Sequence, residues 1–378
     1  MKQQRIYLDN AATTPLAPEV LQTVIEAYQS YIGNPSSIHT HGRMAKTALE
    51  KARKQIAQII GAGPGEIYFT SGGTEANNTA LMGAVRDLGI RRIISSRLEH
   101  PSVLNMLNHL QTQYTDLIVH WIKVDDNGAP LPEDLDTLLG QSQEETLVSL
   151  MHANNETGTL TDLASISQIC HDHHAILHTD TVQTMGYYPL DIEALNVGFL
   201  SASAHKFYGP KGVGFLYMSN ANIVRPLLYG GQQERGIRSG TENIAGILGL
   251  AKALTLMEED RAARKKKIIE LREYLIKGIR LHLPQCTLEH DNINKCHYKI
   301  VNMALPPSPK AELAVINLDI AGISISGGSA CSSGAEKTSH VMEILHPADV
   351  RKHIRVSFSH HNTIEEIDEL ITQLSKII

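Results

Sequence analysis

From residue 15 to about residue 250 the chain alternates short apolar runs with longer stretches of helical periodicity, and this alternation limits the fold more than any other feature. The apolar runs centre near Ile67, Ile93, Leu147, Ile176, Phe199 and Gly214. Strands separated by helices pair through crossovers, so the pattern predicts an α/β fold with a mostly parallel central sheet. Asp260 to Arg280 reads as a long charged helix leaving that unit. Beyond it, Lys299-Ile-Val-Asn-Met303, Ile323-Ser-Ile325 and Ile354-Arg-Val-Ser-Phe358 read as strands, with helices at Lys310 to Ala321 and Thr363 to Ile377. With 378 residues, 42% of them hydrophobic, the chain can bury one large core and a smaller one. The expected division is a large α/β domain over 15–255 and a small α+β domain built from 1–14 and 256–378, with the active site between them.

Four segments carry chemistry. In Ser201-Ala-Ser-Ala-His-Lys-Phe-Tyr-Gly-Pro-Lys-Gly-Val-Gly-Phe215, a strand of small residues exits into His-Lys, a setting that suits a Schiff-base lysine at position 206. Burial and cationic neighbours lower a lysine pKa, so its amine becomes nucleophilic near neutrality. Ser203 and His205 stand beside it as contacts for a cofactor phosphate. Upstream, Ile176-Leu-His-Thr-Asp-Thr-Val-Gln183 delivers Asp180 and Gln183 to a strand's carboxyl end, where open α/β sheets bind ligands. A carboxylate facing a pyridine nitrogen keeps it protonated and makes the ring an electron sink; the competing role for Asp180 is a helix cap. Glu66-Ile-Tyr-Phe-Thr-Ser-Gly-Gly-Thr-Glu-Ala-Asn-Asn78 is a strand, a glycine turn and a helix start, which offers backbone N–H groups to an anion. Gly72 and Gly73 permit close approach, and Thr74 can cap the helix and reach a phosphate oxygen; an ordinary capped junction has the same pattern. The segment matches neither a Walker loop nor a dinucleotide fingerprint. Finally, Ile323-Ser-Ile-Ser-Gly-Gly-Ser-Ala-Cys-Ser-Ser-Gly334 sets Cys331 among small residues that cannot pack a core, the setting of an accessible thiol. Cys170, Cys286 and Cys296 show no such context, and no Cys-x-x-Cys pair exists.

With these in place the chain resembles cysteine desulfurases of the NifS/IscS type, in the class V aminotransferase group of fold-type I pyridoxal phosphate enzymes. The resemblance runs through Tyr7-Leu-Asp-Asn-Ala-Ala-Thr-Thr-Pro15, Gly33-Asn-Pro-Ser-Ser-Ile-His39, Ser71-Gly-Gly-Thr-Glu-Ala-Asn-Asn78, Glu99-His-Pro-Ser-Val103, Asn154-Asn-Glu-Thr-Gly158, Asp180-Thr-Val-Gln183, Ser203-Ala-His-Lys206, Arg238-Ser-Gly-Thr-Glu-Asn243 and the Cys331 loop. It implies an aspartate aminotransferase-like fold with pyridoxal 5'-phosphate as cofactor. Lys206 would hold the cofactor, Asp180 would pair with the pyridinium, Gln183 would bond the ring hydroxyl, and His100 would stack on the ring. Gly73, Thr74, Ser203 and His205 would take the phosphate. Thr241 would reach the neighbouring subunit's cofactor, which makes the active form a homodimer. Asn154 would touch the ring hydroxyl or the substrate. Arg355 would clamp the substrate carboxylate as only a guanidinium fork does, Asn34 would assist it, and Arg351 is the near decoy.

The implied reaction takes L-cysteine to L-alanine. Lys206 moves the Cα proton, and Cys331 as thiolate attacks the substrate sulfur and keeps it as a persulfide for an acceptor, such as an iron–sulfur scaffold or a tRNA thiolase. The alternatives are a selenocysteine lyase or cysteine sulfinate desulfinase, which need no enzyme thiol, and another class V aminotransferase. The chain departs from the family pattern at Thr338, where proline is frequent, and at Ser359-His-His-Asn362. The Ile323 to Arg355 region resembles the longer-loop subgroup.

Composition agrees. Lys and Arg number 34 against 40 Asp and Glu, for a net charge of −6, and Arg261 to Lys267 is the one dense basic run, so direct nucleic-acid binding is not expected. No stretch approaches a membrane span, no apolar signal region opens the chain, and the cysteine usage suits a reducing cytoplasm. Histidines 171, 173, 174 and 178 read as a helix end facing water, and no metal is expected.

Overall fold

The computed structural model describes residues 5–290, 292–327 and 339–378. In chain order its strands are β1 (Ile6–Tyr7), β2 (Ile67–Thr70), β3 (Arg92–Ser95), β4 (Ile118–Trp121), β5 (Thr146–Ser149), β6 (Ile176–Asp180), β7 (Phe199–Ser203), β8 (Gly214–Met218), β9 (Thr287–Leu288), β10 (Ile300–Ala304), β11 (Ile323–Ser324) and β12 (His353–Ser357). Strands β2 to β8 form one sheet in the order β2-β8-β7-β6-β5-β3-β4. From β7 across to β4 every pairing is parallel, each strand returning through a helix. Strand β8 runs antiparallel to both β7 and β2. The link from β7 to β8 holds only a short 3₁₀ turn at Ala204–Lys206, too little chain for a helical crossover. The α/β fold with a mostly parallel sheet therefore matches the sequence pattern. Strand β4 was not foreseen, although Leu117-Ile-Val-His-Trp-Ile122 is an apolar run; it lies at the sheet edge with Ile118 more than half exposed.

The interior strands β3, β5, β7 and β8 are buried along their whole length, which calls for apolar side chains on both faces. Neighbouring residues point to opposite faces, so each strand feeds two cores. Ile94, Val148, Leu200 and Phe215 join the core that also packs helices Thr40–Ile60 and Ile244–Glu259. One residue earlier or later, Ile93, Leu147, Phe199 and Leu216 join the opposite core under helices Gly73–Arg86 and Pro101–Gln113.

The rest of the chain builds two smaller sheets among the described residues, an antiparallel β12-β10-β9 and a parallel β1-β11 pair. The C-terminal helix Ile364–Ile377 shows why these elements hold. Thr363 and Glu366 close a capping box at its start, and Ile367, Leu370, Ile371, Leu374 and Ile377 fall on one buried stripe. The helix expected over 310–321 is two pieces, Pro309–Glu312 and Ala314–Ile320, because Leu313 between them has φ −98° and ψ 15°. Among the described residues, no helix is long and apolar enough to cross a membrane. The carboxyl ends of β5, β6 and β7 open toward residues 9–14, which arrive from β1 and bond both to β12 and to the turn after β7: Asn10 N donates to Ser357 O, and Thr14 N to His205 O.

Candidate active site

The turn that ends β7 fixes Lys206. Its Nζ donates to the carbonyls of Ala11 and Ala12, each at 2.8 Å, and Tyr187 Oη donates to its main-chain carbonyl at 3.1 Å. One residue earlier, the His205 Nδ1 lies 3.1 Å from Thr13 Oγ1. Burial, then the cations Lys206, Lys211 and Lys299, push the His205 pKa down to about 4, so this imidazole is neutral at pH 7.

Asp180 ends β6 and is held from two sides. Val182 N donates to its Oδ1 at 2.9 Å, and Asn77 Nδ2 donates to its Oδ2 at 2.7 Å. Asn77 also donates to Ser102 Oγ, tying the carboxylate to the start of the next helix. Asn77 was missed in the sequence; its signal is its spacing from Thr74, one helical turn along the same face. Gln183 Nε2 donates to Ala11 O at 2.9 Å, while its buried Oε1 has no hydrogen-bond partner among the described residues. His100 caps helix Pro101–Gln113 through Nδ1, which accepts from Ser102 N. Burial lowers its pKa, with Asp180 opposing and Lys206 and His340 adding to the fall.

At the glycine turn, helix Gly73–Arg86 begins without a side-chain cap. Thr74 therefore does not cap it, contrary to expectation: Gly72 is the capping residue and Thr74 already lies in the first turn, leaving the early N–H groups and the Thr74 hydroxyl at the cleft. A Cβ on Gly73 would stand 2.4 Å from Val182 Cγ2, so only glycine fits there. Ser203 closes in from β7 and is buried. Glu75, in the same first turn, pairs with Arg238 at 3.0 Å.

Arg355 on β12 is buried against the opposite wall. Nη2 donates to Asp9 Oδ1 at 2.9 Å and Nη1 to Asn155 O at 2.6 Å, while Nε has no hydrogen-bond partner among the described residues. Arg351 is spent on Asp349 and lies outside the cleft. Asn154 also lies outside it, a correction to the expectation. Its Oδ1 accepts from Glu156 N and Thr157 N and its Nδ2 donates to Leu98 O, so both ends of the amide are engaged away from the cleft. The next residue, Asn155, lines the cleft instead. Thr241 and Asn34 are exposed and outside the cleft of the single chain. Cys331 lies outside the described residues. His171, His173 and His174 stand at a helix end as expected, but His178 is fully buried in β6, between Ser149 Oγ at 2.8 Å and Ser201 Oγ at 3.5 Å. Cys170 is buried and its thiol pKa is pushed up to about 12, so it remains a thiol.

Lys206, Asp180, Gln183, His100, Ser203, His205, Gly73, Thr74 and Arg355 thus line one cleft of about 450 Å³. A pyridoxal phosphate fits this set. The helix start and the Gly73 gap make an anion cradle, the unsatisfied Gln183 Oε1 can accept from a ring hydroxyl, and the anchored Asp180 carboxylate suits a protonated ring nitrogen.

The chain matches the Aminotransferase class-V family over residues 6–370. It is 38% identical to the cysteine desulfurase IscS of Dictyoglomus turgidum over 380 residues, which cover 100% of this chain and 95% of that protein. It is 41% identical to a cysteine desulfurase of Cereibacter sphaeroides, covering 99% of this chain and 96% of that one. A solved NifS-like protein superposes with a TM-score of 0.89 at 34% identity, covering 99% of both chains. Fold, cleft and full-length similarity converge, and the chain belongs to the cysteine desulfurases of the class-V aminotransferase family.

Proposed function

We infer that this chain is a pyridoxal phosphate-dependent cysteine desulfurase that converts L-cysteine to L-alanine and passes the sulfur on through Cys331. The observation that carries the reading is the convergence of the Lys206 amine, the anchored Asp180 carboxylate and the buried Arg355 guanidinium on one cleft.

Pyridoxal phosphate, when bound, supplies an electron sink for the charge released at the substrate Cα. The chain's own groups do the rest. Asp180, fixed by Asn77 and Val182, would accept a hydrogen bond from the ring nitrogen and keep it protonated. With the cofactor bound, Gln183 would meet the ring hydroxyl, His100 would stack on the ring, and the Gly73 and Thr74 N–H groups with Ser203 and neutral His205 would hold the phosphate. Arg355 orients the substrate carboxylate through the fork whose Nε is unused. Asn155 takes the contact first expected of Asn154, and Asn34 assists from outside. Lys206 Nζ would take the Cα proton and return one. The Cys331 thiolate attacks the substrate sulfur: an S–S bond forms, the Cβ–S bond breaks, and Cβ gains a proton to become the methyl group of alanine.

The reading extends to a homodimer in which Thr241 reaches the neighbouring subunit's cofactor, to the division into 15–255 and 1–14 plus 256–378, to a cytoplasmic setting, and to an iron–sulfur scaffold or a tRNA thiolase as acceptor. The experiment is an absorbance spectrum of the purified protein before and after L-cysteine, with alanine and sulfide assayed in the same tube. A visible cofactor band that changes with cysteine and yields alanine is the expected result. Cys331→Ala keeps the band and loses sulfide release. Sulfide at the parent rate from that variant removes Cys331 from the reaction, and absence of the band after added pyridoxal phosphate overturns the whole reading.

A further inference from the structure

Behind the cleft a second lysine is buried without a countercharge among the described residues. Lys299 immediately precedes β10, is 0% exposed, and its Nζ has no hydrogen-bond partner among the described residues. A nitrogen in such a place calls for an explanation, since an alkyl chain alone fills the same volume without losing hydration. The amine lies 4.0 Å from the centroid of the Tyr187 ring. That ring is itself 1% exposed, and its hydroxyl donates to the Lys206 main-chain carbonyl at 3.1 Å. His297 meets the same ring edge-on at 5.1 Å, and its Nε2 donates to Gln183 O at 2.8 Å. One buried stack therefore joins the entry of β10 to the main chain of both Lys206 and Gln183.

The charge state follows from the surroundings. Burial first, then the cations Lys206 and Arg355, hold the Lys299 amine well below the usual lysine range. No carboxylate pairs with it among the described residues, and the face of a phenol ring does not replace the hydration an ammonium would lose. The amine faces the ring at 4.0 Å, and its burial disfavours the charged form.

We propose that Lys299 is a positioning residue for Lys206, acting through Tyr187: its buried amine seats the ring, and the ring's hydroxyl fixes the main chain from which the Schiff-base lysine extends. This rests on Lys206 being the cofactor lysine.

The test is a double-mutant cycle on the cofactor-loaded protein with Lys299→Met, which keeps length and volume, and Tyr187→Phe, which removes only the hydroxyl. Three quantities are read: kcat and KM for cysteine, the pH midpoint of the Lys206-bound cofactor's visible band, and the melting temperature of the cofactor-free protein. Expected are a fall in kcat of about tenfold in each single variant, KM within about twofold, and a double variant no worse than either single one. The band midpoint moves in both singles, and the melting temperature of Lys299→Met is equal or higher, because a buried group without a partner is gone. Parent kcat and parent midpoint in Lys299→Met overturn the proposal, as do multiplicative losses in the double variant. Should Lys299→Met not fold, Tyr187→Phe decides alone: parent kcat and midpoint there overturn the proposal. A parent protein that shows no band strikes the cofactor reading itself, and so is distinguished from failure of this inference.

Discussion

Two main-chain carbonyls, of Ala11 and Ala12, receive the Lys206 amine in the cleft, and neither can donate a hydrogen back. A cofactor aldehyde would have to take the amine away from both. Lys206→Ala is expected to leave the fold intact, to abolish the visible band after cofactor addition and dialysis, and to reduce alanine formation to background. Retained turnover in that variant would assign the base to another group. His178 illustrates a different duty. It is fully buried in β6, and desolvation lowers its pKa to about 4 against the ordinary 6.5. Because the folded value lies below the unfolded one, the neutral ring stabilises the fold fully above pH 6.5. That contribution is lost as pH falls toward 4. The gap in melting temperature between the parent and His178→Asn should therefore narrow from pH 7 to pH 4, and a gap that stays constant would show that the ring is not kept neutral.

At the scale of elements, the cleft depends on how the glycine turn is braced. Glu234 takes Arg53 Nη1 and Nη2 on its two oxygens, each at 2.8 Å, and its Oε2 also accepts from Phe69 N on β2. Both side chains are buried, so helix Thr40–Ile60, strand β2 and the 233–236 turn share one ion pair just before the phosphate cradle. Glu234→Gln removes the buried partner of the Arg53 guanidinium and leaves it the more exposed Glu50 carboxylate at 3.2 Å, and a loss of about 3 kcal/mol is expected from breaking a buried pair. A shift in the urea midpoint at constant slope would measure it, and an unchanged midpoint would mean the pair contributes nothing net. The strand–turn–helix order around Gly72 was legible because glycine, small and polar residues mark it locally. Thr74 as a cap was misread, since which residue is the last non-helical one depends on the φ of Gly72, not on side-chain preference. The choice of Asn155 over Asn154 was equally out of reach, because two adjacent asparagines differ only in where the turn aims them.

For the whole molecule, Thr241 is the telling residue: it is exposed and away from the cleft of its own chain. Under the homodimer proposal, sedimentation should give twice the 41.5 kDa chain mass, and Thr241→Ala should weaken cofactor retention several-fold while leaving the melting temperature unchanged. A monomer by sedimentation whose Thr241→Ala variant holds the cofactor as the parent does would refute shared sites.

Periodicity and turn chemistry, which act over a few residues, settled the parallel α/β sheet, the strand exits carrying Asp180 and Lys206, and the glycine turn. Local pattern carries no record of partners far along the chain. The antiparallel course of β8, the arrival of Ala11 and Ala12 at Lys206, the Asn77 brace on Asp180, and the burial of Lys299 against Tyr187 all depend on segments brought together from separations of up to 195 residues. Only packing, which removes water from some of these groups and pairs others, decides which lysine stands in the cleft and which is sealed behind it.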